Sequence, residues 1–199
     1  MHSSSALHEI AQTAARMVVE EGLEWGPAKR RAAKQLGLPP RTPLPDNDAL
    51  EAAVREYIEI FCADTQPQEL RALRELALVW MDRLQEFRPH LAGAVWRGTA
   101  TRNSDIYIQL FCDDSKSAEI ALINNNVQYD VTQVAGFHGD AVDALSISSL
   151  CKPLNEVVGV HLMVYDYDDL RGARRNDAQG RSQRGDAEAV RQLLAEEAV

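Results

Sequence analysis

The stretch LAGAVWRGTATRNSDIYIQLF, residues 91–111, decides how the second half of this chain is interpreted. Its early apolar residues predict a short strand over Gly93–Arg97, and the run Ile106–Cys112 predicts a second strand. Between the two, Gly98 and the polar residues after it are typical of a turn. Asp105 stands immediately before the second strand. The pattern therefore predicts a strand, a turn, and a strand that opens on a carboxylate.

The residues upstream of this stretch carry the three- and four-residue apolar spacing of helices. Gly22 is expected to end the first helix, and the proline-rich connector 38–45 separates the second from the third. Leucines and a tryptophan between 70 and 84 form a broad apolar stripe, which either packs on the sheet or mediates self-association as a homo-oligomer. The expected helices cover residues 7–21, 27–34, 47–60 and 67–87.

The residues downstream of the stretch alternate between short apolar runs and polar turns, as strands do. We expect three further strands, over 127–134, 142–148 and 157–165, and helices over 115–123 and 186–197. Helices first and a small mixed sheet with packed helices afterwards predict an α+β fold. The expected organisation is N-terminal helices with the connector over 1–45 and an α+β domain over 46–199.

Composition limits the classes of function. The chain has 199 residues, a net charge of −9 and a pI near 5.0, which argues against a dedicated nucleic-acid surface. No apolar run approaches the roughly 18–20 residues that a membrane helix needs. The start of the chain lacks the pattern of a secretory signal, and the three cysteines form no CxxC pair. A cytoplasmic location is therefore expected.

The order and spacing of several short motifs resemble the active site of the nucleotidyltransferase (DNA polymerase beta-like) superfamily. Gly93-Ala94 stands where that family has a Gly-Ser pair, and Arg97-Gly98-Thr99-Ala100 is similar to the Arg-Gly-Thr-Ala that often follows. Ser104-Asp105-Ile106 is similar to the start of the family's metal-binding strand. Tyr129-Asp130-Val131 resembles the position of its third carboxylate. The resemblance covers about residues 80–135.

This resemblance implies a Mg²⁺-dependent transfer of a nucleotidyl group from a nucleoside triphosphate to an unknown acceptor. Asp105 and Asp130 are then the catalytic residues and the ligands of the metal. The nucleotide-binding residues that it implies are Gly93, Ala94, Arg97, Gly98, Thr99, Arg102 and Ser104. In this arrangement the glycines shape a phosphate-binding turn, and the arginines offset triphosphate charge.

Two positions depart from the family pattern. Ala94 replaces the serine that contributes a hydroxyl to phosphate binding, and Tyr107 replaces the second carboxylate of the metal pair. A phenol is neutral at pH 7 and is a poor magnesium ligand. A two-metal mechanism is therefore compromised. The alternative is a catalytically degenerate protein that acts by nucleotide binding or protein–protein contacts.

Two further features lie outside these motifs, and the first leaves alternatives open. The arginine-rich segment, with arginines at 171, 174, 175, 181 and 184, either offsets triphosphate charge or is a surface loop. His161 lies in an apolar strand, where a hydrogen-bonded structural histidine is expected.

Overall fold

The computed structural model describes residues 2–173, 176–177 and 180–197, with side chains from residue 5 onward. Arg174 and Arg175 of the arginine-rich segment lie outside the described residues. Within the described part, the chain forms eight α-helices and one six-stranded mixed sheet, which confirms the α+β class. The helices are α1 His2–Glu21, α2 Trp25–Gln35, α3 Asn47–Phe61, α4 Gln66–Arg83, α5 Gly93–Arg97, α6 Ser117–Asn124, α7 Asp169–Ala173 and α8 Ala187–Glu196. The strands are β1 His90–Ala92, β2 Ile106–Cys112, β3 Asp130–Ala135, β4 Ala141–Cys151, β5 Glu156–Asp166 and β6 Arg184–Gly185.

The chain divides into two compact units. The first comprises residues 1–68 and 99–104, and the second comprises 69–98 and 105–199. The division of the chain at residue 45 that the sequence suggests stays a prediction.

The first unit is helical, with its core between α1, α2 and α3. Ile10, Met17 and Leu50 are completely buried there, or nearly so. Gly22 ends α1 with a φ of +68°, and a Cβ at this position would lie 2.3 Å from the carbonyl oxygen of Asn103. Only glycine fits so close an approach in that conformation.

The second unit is built on the sheet, whose strand order is β3-β4-β5-β2-β1-β6. β2 and β5 are parallel, and the other neighbouring strands are antiparallel. Alternate residues of the central strands, such as Ile108 and Leu162, are completely buried on one face. Helix α4 covers this face, where the indole of Trp80 donates to Ser149 Oγ at 3.0 Å. Most of the apolar stripe of α4 is buried, including Leu73, Trp80 and Leu84, and self-association stays a prediction.

One predicted strand is wrong. Residues Gly93–Arg97 form the short helix α5, and the strand of this region is the preceding segment, His90–Ala92. Gly93 has a φ of +70°, which ends the extended backbone, and Gly98 with a φ of +85° ends the helix. A helix of five residues is too short to show helical periodicity, so its apolar residues resembled a strand. The predicted β2, Ile106–Cys112, is confirmed.

Candidate functional site

A row of side chains crosses the sheet on the face opposite α4. The strand register places Asp130 of β3 beside Ser146 of β4, Ser146 beside His161 of β5, and His161 beside Tyr107 of β2. Tyr107 is paired in turn with Ala92 of β1. Because paired residues on neighbouring strands point to the same face, the register brings these groups together from distant parts of the chain.

A continuous hydrogen-bonded chain joins Asp105, His161 and Ser146. The Oδ2 atom of Asp105 lies 2.9 Å from Nε2 of His161, and Nδ1 of the same ring lies 2.8 Å from Oγ of Ser146. The imidazole is 24% exposed and the carboxylate 47% exposed, so solvent reaches the site. A carboxylate only accepts hydrogen bonds, so in the neutral imidazole the hydrogen lies on Nε2 and is donated to Asp105, which leaves Nδ1 to accept a hydrogen bond from the Ser146 hydroxyl.

Gly159 of β5 makes room for the carboxylate of Asp105. A Cβ at this glycine would lie 2.8 Å from Cγ of Asp105. The Gly159 amide also donates to Oδ1 of Asp105 at 3.2 Å. Both carboxylate oxygens of Asp105 are therefore engaged, one by a backbone amide and one by an imidazole.

The ring of Tyr107 fills the space between His161 and the start of α5. Its centroid lies 4.9 Å from that of the His161 ring, with an interplanar angle of 28°. On its other side, a Cβ added at Gly93 would contact the Tyr107 ring at 3.5 Å. The phenol side chain thus points to the site face and packs over the turn where the resemblance implies a phosphate.

Asp130 lies at the opposite end of the row and borders a cavity of about 790 Å³. We call this the Asp130 cavity; it is lined by Trp80, Val127, Gln128, Tyr129, Asp130, Ser146, Ile147 and Ser148. Asp130 itself is exposed at the start of edge strand β3. Partial desolvation and the nearby carboxylate of Glu119 raise the pKa of Tyr129, so its phenol is neutral at physiological pH.

The predicted nucleotide-binding residues fall into two groups. Gly93, Ala94, Arg97 and Gly98 form α5 and its end, in the second unit. Thr99, Arg102 and Ser104 belong to a segment of the first unit. In that segment the Ser104 hydroxyl accepts from the Thr101 amide, and the side-chain amide of Asn103 donates to the Val19 carbonyl at the end of α1.

The oxygen donors of this face are too few and too far apart for a pair of magnesium ions. Mg²⁺ prefers oxygen ligands at about 2.1 Å in octahedral geometry. Asp105 and Asp130 lie on or beside strands that β5 and β4 separate, so their backbones are about 14 Å apart at the usual strand spacing. Between them stand an imidazole and a hydroxyl, and Tyr107 stands where the resemblance would require a second carboxylate. These donors do not fit a two-magnesium centre; binding of Mg²⁺ by Asp105 and Asp130 stays a prediction.

Three comparisons with known proteins found no relative of the chain. No protein-family model, no curated protein and no solved structure matches the chain. Over residues 2–173, 176–177 and 180–197, no cluster of three or more His, Cys, Asp or Glu side chains is arranged to hold a metal ion. None of the described helices is long and apolar enough to span a bilayer.

Sequence reasoning singled out Asp105 but not its partners. The sequence predicts a hydrogen-bonded structural histidine at His161, and the ring does make two hydrogen bonds, but both are to polar groups of the candidate site. Ser146 and Gly159 were not singled out at all. The available signal is the alternation in β5, where Gly159 and His161 interrupt the buried residues Val158, Val160 and Leu162 and so mark a polar face.

Proposed function

We propose that the chain is a catalytically degenerate nucleotidyltransferase-like protein that binds the nucleoside part of a nucleotide in the Asp130 cavity, without a two-magnesium centre. The order of β1, a glycine that opens α5, and β2 preceded by Asp105 supports the family resemblance. The engagement of both Asp105 oxygens by His161 and Gly159 supports the loss of two-metal chemistry, and it is the observation that carries the proposal.

The groups of the Asp130 cavity suit a nucleoside. A carboxylate such as that of Asp130 accepts hydrogen bonds from the two hydroxyls of a ribose. The amide of Gln128 offers both a donor and an acceptor to the edge of a base. The hydroxyls of Ser146 and Ser148 are two further hydrogen-bonding groups in the lining. The volume of about 790 Å³ falls within the range of small-molecule sites.

The charge of the cavity limits which part of a nucleotide binds there. Its described lining contains one carboxylate and no lysine or arginine. A triphosphate carries several negative charges and is repelled by that carboxylate, so the phosphates extend into solvent. We therefore expect a nucleoside to bind about as tightly as its triphosphate, with or without Mg²⁺.

Isothermal titration calorimetry with adenosine, guanosine, cytidine and uridine in EDTA tests this proposal. At least one nucleoside should bind, and Asp130→Asn should weaken it at least tenfold because the ribose loses a charged acceptor. Asp140→Asn is the matched control, since Asp140 is an exposed carboxylate in the β3–β4 turn outside the cavity lining. Failure of all four nucleosides to bind would contradict the proposal.

A second candidate function is Mg²⁺-dependent nucleotidyl transfer to an unknown acceptor, with Asp105 and Asp130 as the catalytic metal ligands. The position of Asp105, half exposed and directly before a central strand, favours it. Nucleoside triphosphates that bind only with Mg²⁺, and that lose binding in Asp105→Asn, would support this candidate over the first.

A further inference from the structure

We propose that Ser146 is a nucleophile, that His161 is its general base, and that Asp105 positions the imidazole, so that this face of the sheet cleaves carboxylic esters. This chemical step at Ser146 does not require nucleoside binding. The hydrogen-bonded chain Asp105–His161–Ser146 supplies the reacting groups, and solvent reaches it.

The geometry is that of an activated hydroxyl. A nucleophile needs a base within hydrogen-bond reach, and the base needs a third group to orient it. Ser146 Oγ lies 2.8 Å from Nδ1 of His161, and Asp105 Oδ2 lies 2.9 Å from Nε2. In the Ser-His-Asp arrangement of serine proteases the roles of the two nitrogens are exchanged, but proton transfer needs only one acceptor nitrogen facing the hydroxyl.

The hydrogen-bonded chain Asp105–His161–Ser146, the relay, is held in place by the stacking of Tyr107 on His161 and by the backbone around Asp105. The phenol ring limits rotation of the imidazole from one side. The Gly159 amide fixes the second oxygen of Asp105, so the carboxylate presents Oδ2 to the ring. Two positions of the sheet, Tyr107 and Gly159, thus restrain a relay whose members come from β4, β5 and the residue before β2.

The reaction balances with water as the co-reactant. Oγ of Ser146 bonds to the carbonyl carbon of the ester, and its proton passes to Nδ1 of His161. The bond from that carbon to the alcohol oxygen breaks, and the alcohol leaves with the proton from Nδ1. Water then attacks the acyl carbon and gives a proton to Nδ1. The acyl–Oγ bond breaks, Oγ takes back the proton, and a carboxylic acid leaves.

Charge selects a carboxylic ester over a phosphoester. Asp130 is paired with Ser146 across the sheet, and the carboxylate of Asp105 lies on the far side of the His161 ring. The described lining of the Asp130 cavity includes no cationic side chain. A phosphodiester is an anion and is repelled there, whereas a carboxylic ester is neutral. The negative charge of Asp105 also stabilises the imidazolium that forms during the reaction.

A fluorophosphonate probe tests the nucleophile directly on the full chain. Oγ of an activated serine forms a bond to phosphorus and displaces fluoride, and peptide mapping by mass spectrometry locates the adduct. We expect a single adduct on Ser146. Ser148 serves as an internal comparison because it lies two residues along β4, is more exposed, and has no hydrogen bond to a histidine in the described structure. The absence of an adduct, or equal labelling of Ser148, would overturn the proposal.

Hydrolysis of p-nitrophenyl acetate tests the base and the positioning residue. His161→Gln and Ser146→Ala should each lower kcat at least a hundredfold. Asp105→Asn should lower kcat while leaving KM unchanged, which separates positioning from substrate binding. His138→Gln is the matched control, because His138 also contacts a carboxylate, Asp169 at 3.1 Å, but lies outside the relay; its activity should equal wild type.

Thermal unfolding of each variant separates chemistry from folding. Ser146→Ala removes one oxygen, so a variant with the wild-type Tm and no activity supports the nucleophile. If His161→Gln does not fold, the labelling of Ser146 in the wild-type chain by itself decides whether Ser146 is a nucleophile. A folded His161→Gln variant with the wild-type rate would contradict the assigned base.

Discussion

At the scale of single residues, Gly159 is the position where the candidate site is most sensitive to one added carbon. A Cβ there would lie 2.8 Å from Cγ of Asp105, so Gly159→Ala should displace the carboxylate and break its contact with His161. Nitrogen NMR of the imidazole measures this: the proton should reside on Nε2 in the wild type and be shared between both nitrogens in the variant.

The matched control for this substitution is Gly172→Ala. Gly172 lies in α7, and a Cβ there would contact nothing within 4 Å. That variant should keep the wild-type imidazole spectrum. An unchanged spectrum in Gly159→Ala would mean that Asp105 is not held as described.

A buried thiol gives the protein a pH-dependent stability. Burial, with the nearby carboxylate of Asp113, raises the pKa of Cys112 from 9.0 to about 11. Above pH 9 the unfolded chain loses this proton while the folded chain keeps it, so the free energy of unfolding should fall between pH 9 and 11, by at most about 2–3 kcal/mol. Urea unfolding at pH 8 and pH 10.5 measures the difference, which should shrink in Cys112→Ala but not in Cys62→Ala.

At the scale of elements, helix α3 depends on its N-cap. The carboxylate of Asp46 accepts a hydrogen bond from the Ala49 amide at 2.8 Å. Asp46→Ala leaves that amide without its cap and should lower the free energy of unfolding by about 1 kcal/mol. Asp46→Asn retains an acceptor and should cost only a few tenths of that. Urea denaturation of the pair tests the cap, and equal losses in both variants would contradict it.

Helix α5 depends on a cation from α4. The guanidinium of Arg74 is buried, donates to the carbonyls of Val95 and Trp96 at 3.0 Å each, and pairs with Glu197. Burial lowers the pKa of Arg74, although Glu197 opposes this shift. Arg74→Ala removes the donor that serves both carbonyls and the carboxylate, so it should lower the free energy of unfolding by about 3 kcal/mol.

The matched control for Arg74 is Arg71→Ala on the same helix. Arg71 is 41% exposed and pairs with Glu75 at 3.0 Å, so its loss should cost less than about 1 kcal/mol. Equal losses in the two variants, measured by urea denaturation, would show that α5 does not rely on Arg74.

The contrast between α3 and α5 shows which elements the sequence could predict. Helix α3 spans 15 residues with a cap and an apolar stripe, so its local pattern is sufficient to identify it. Helix α5 spans five residues, and its end is satisfied by Arg74, an arginine more than twenty residues away in the sequence. A contact between residues so far apart in the chain produces no periodic pattern in the local sequence.

At the scale of the whole molecule, the α+β class could be predicted, but the chemistry of the site could not. Asp105 could be predicted as a site residue because it stands directly before an apolar strand. Its contact with His161 depends on the parallel register of β2 and β5, and the contact of His161 with Ser146 depends on the antiparallel register of β4 and β5. Register between distant strands is set by tertiary packing, so a local motif does not reveal it.

Magnesium dependence is the property that most directly separates the two interpretations of this face. In one, Asp105 is a metal ligand of a nucleotidyltransferase; in the other, it is held by His161 and Gly159 while a nucleoside binds beside Asp130. Only the first needs a cation. The second is the central claim here, because both oxygens of Asp105 are engaged.

Thermal unfolding with each of the four ribonucleoside triphosphates and the four nucleosides, in Mg²⁺ and in EDTA, measures this most directly. A ligand at a hundred times its Kd stabilises by about 2.7 kcal/mol, which raises Tm by several degrees. We predict that a nucleoside and its triphosphate raise Tm equally in Mg²⁺ and in EDTA, and that Asp130→Asn, whose affinity is at least tenfold weaker, reduces the rise by about half or more. A rise that occurs only with triphosphate and Mg²⁺, and that disappears in Asp105→Asn, would contradict the claim.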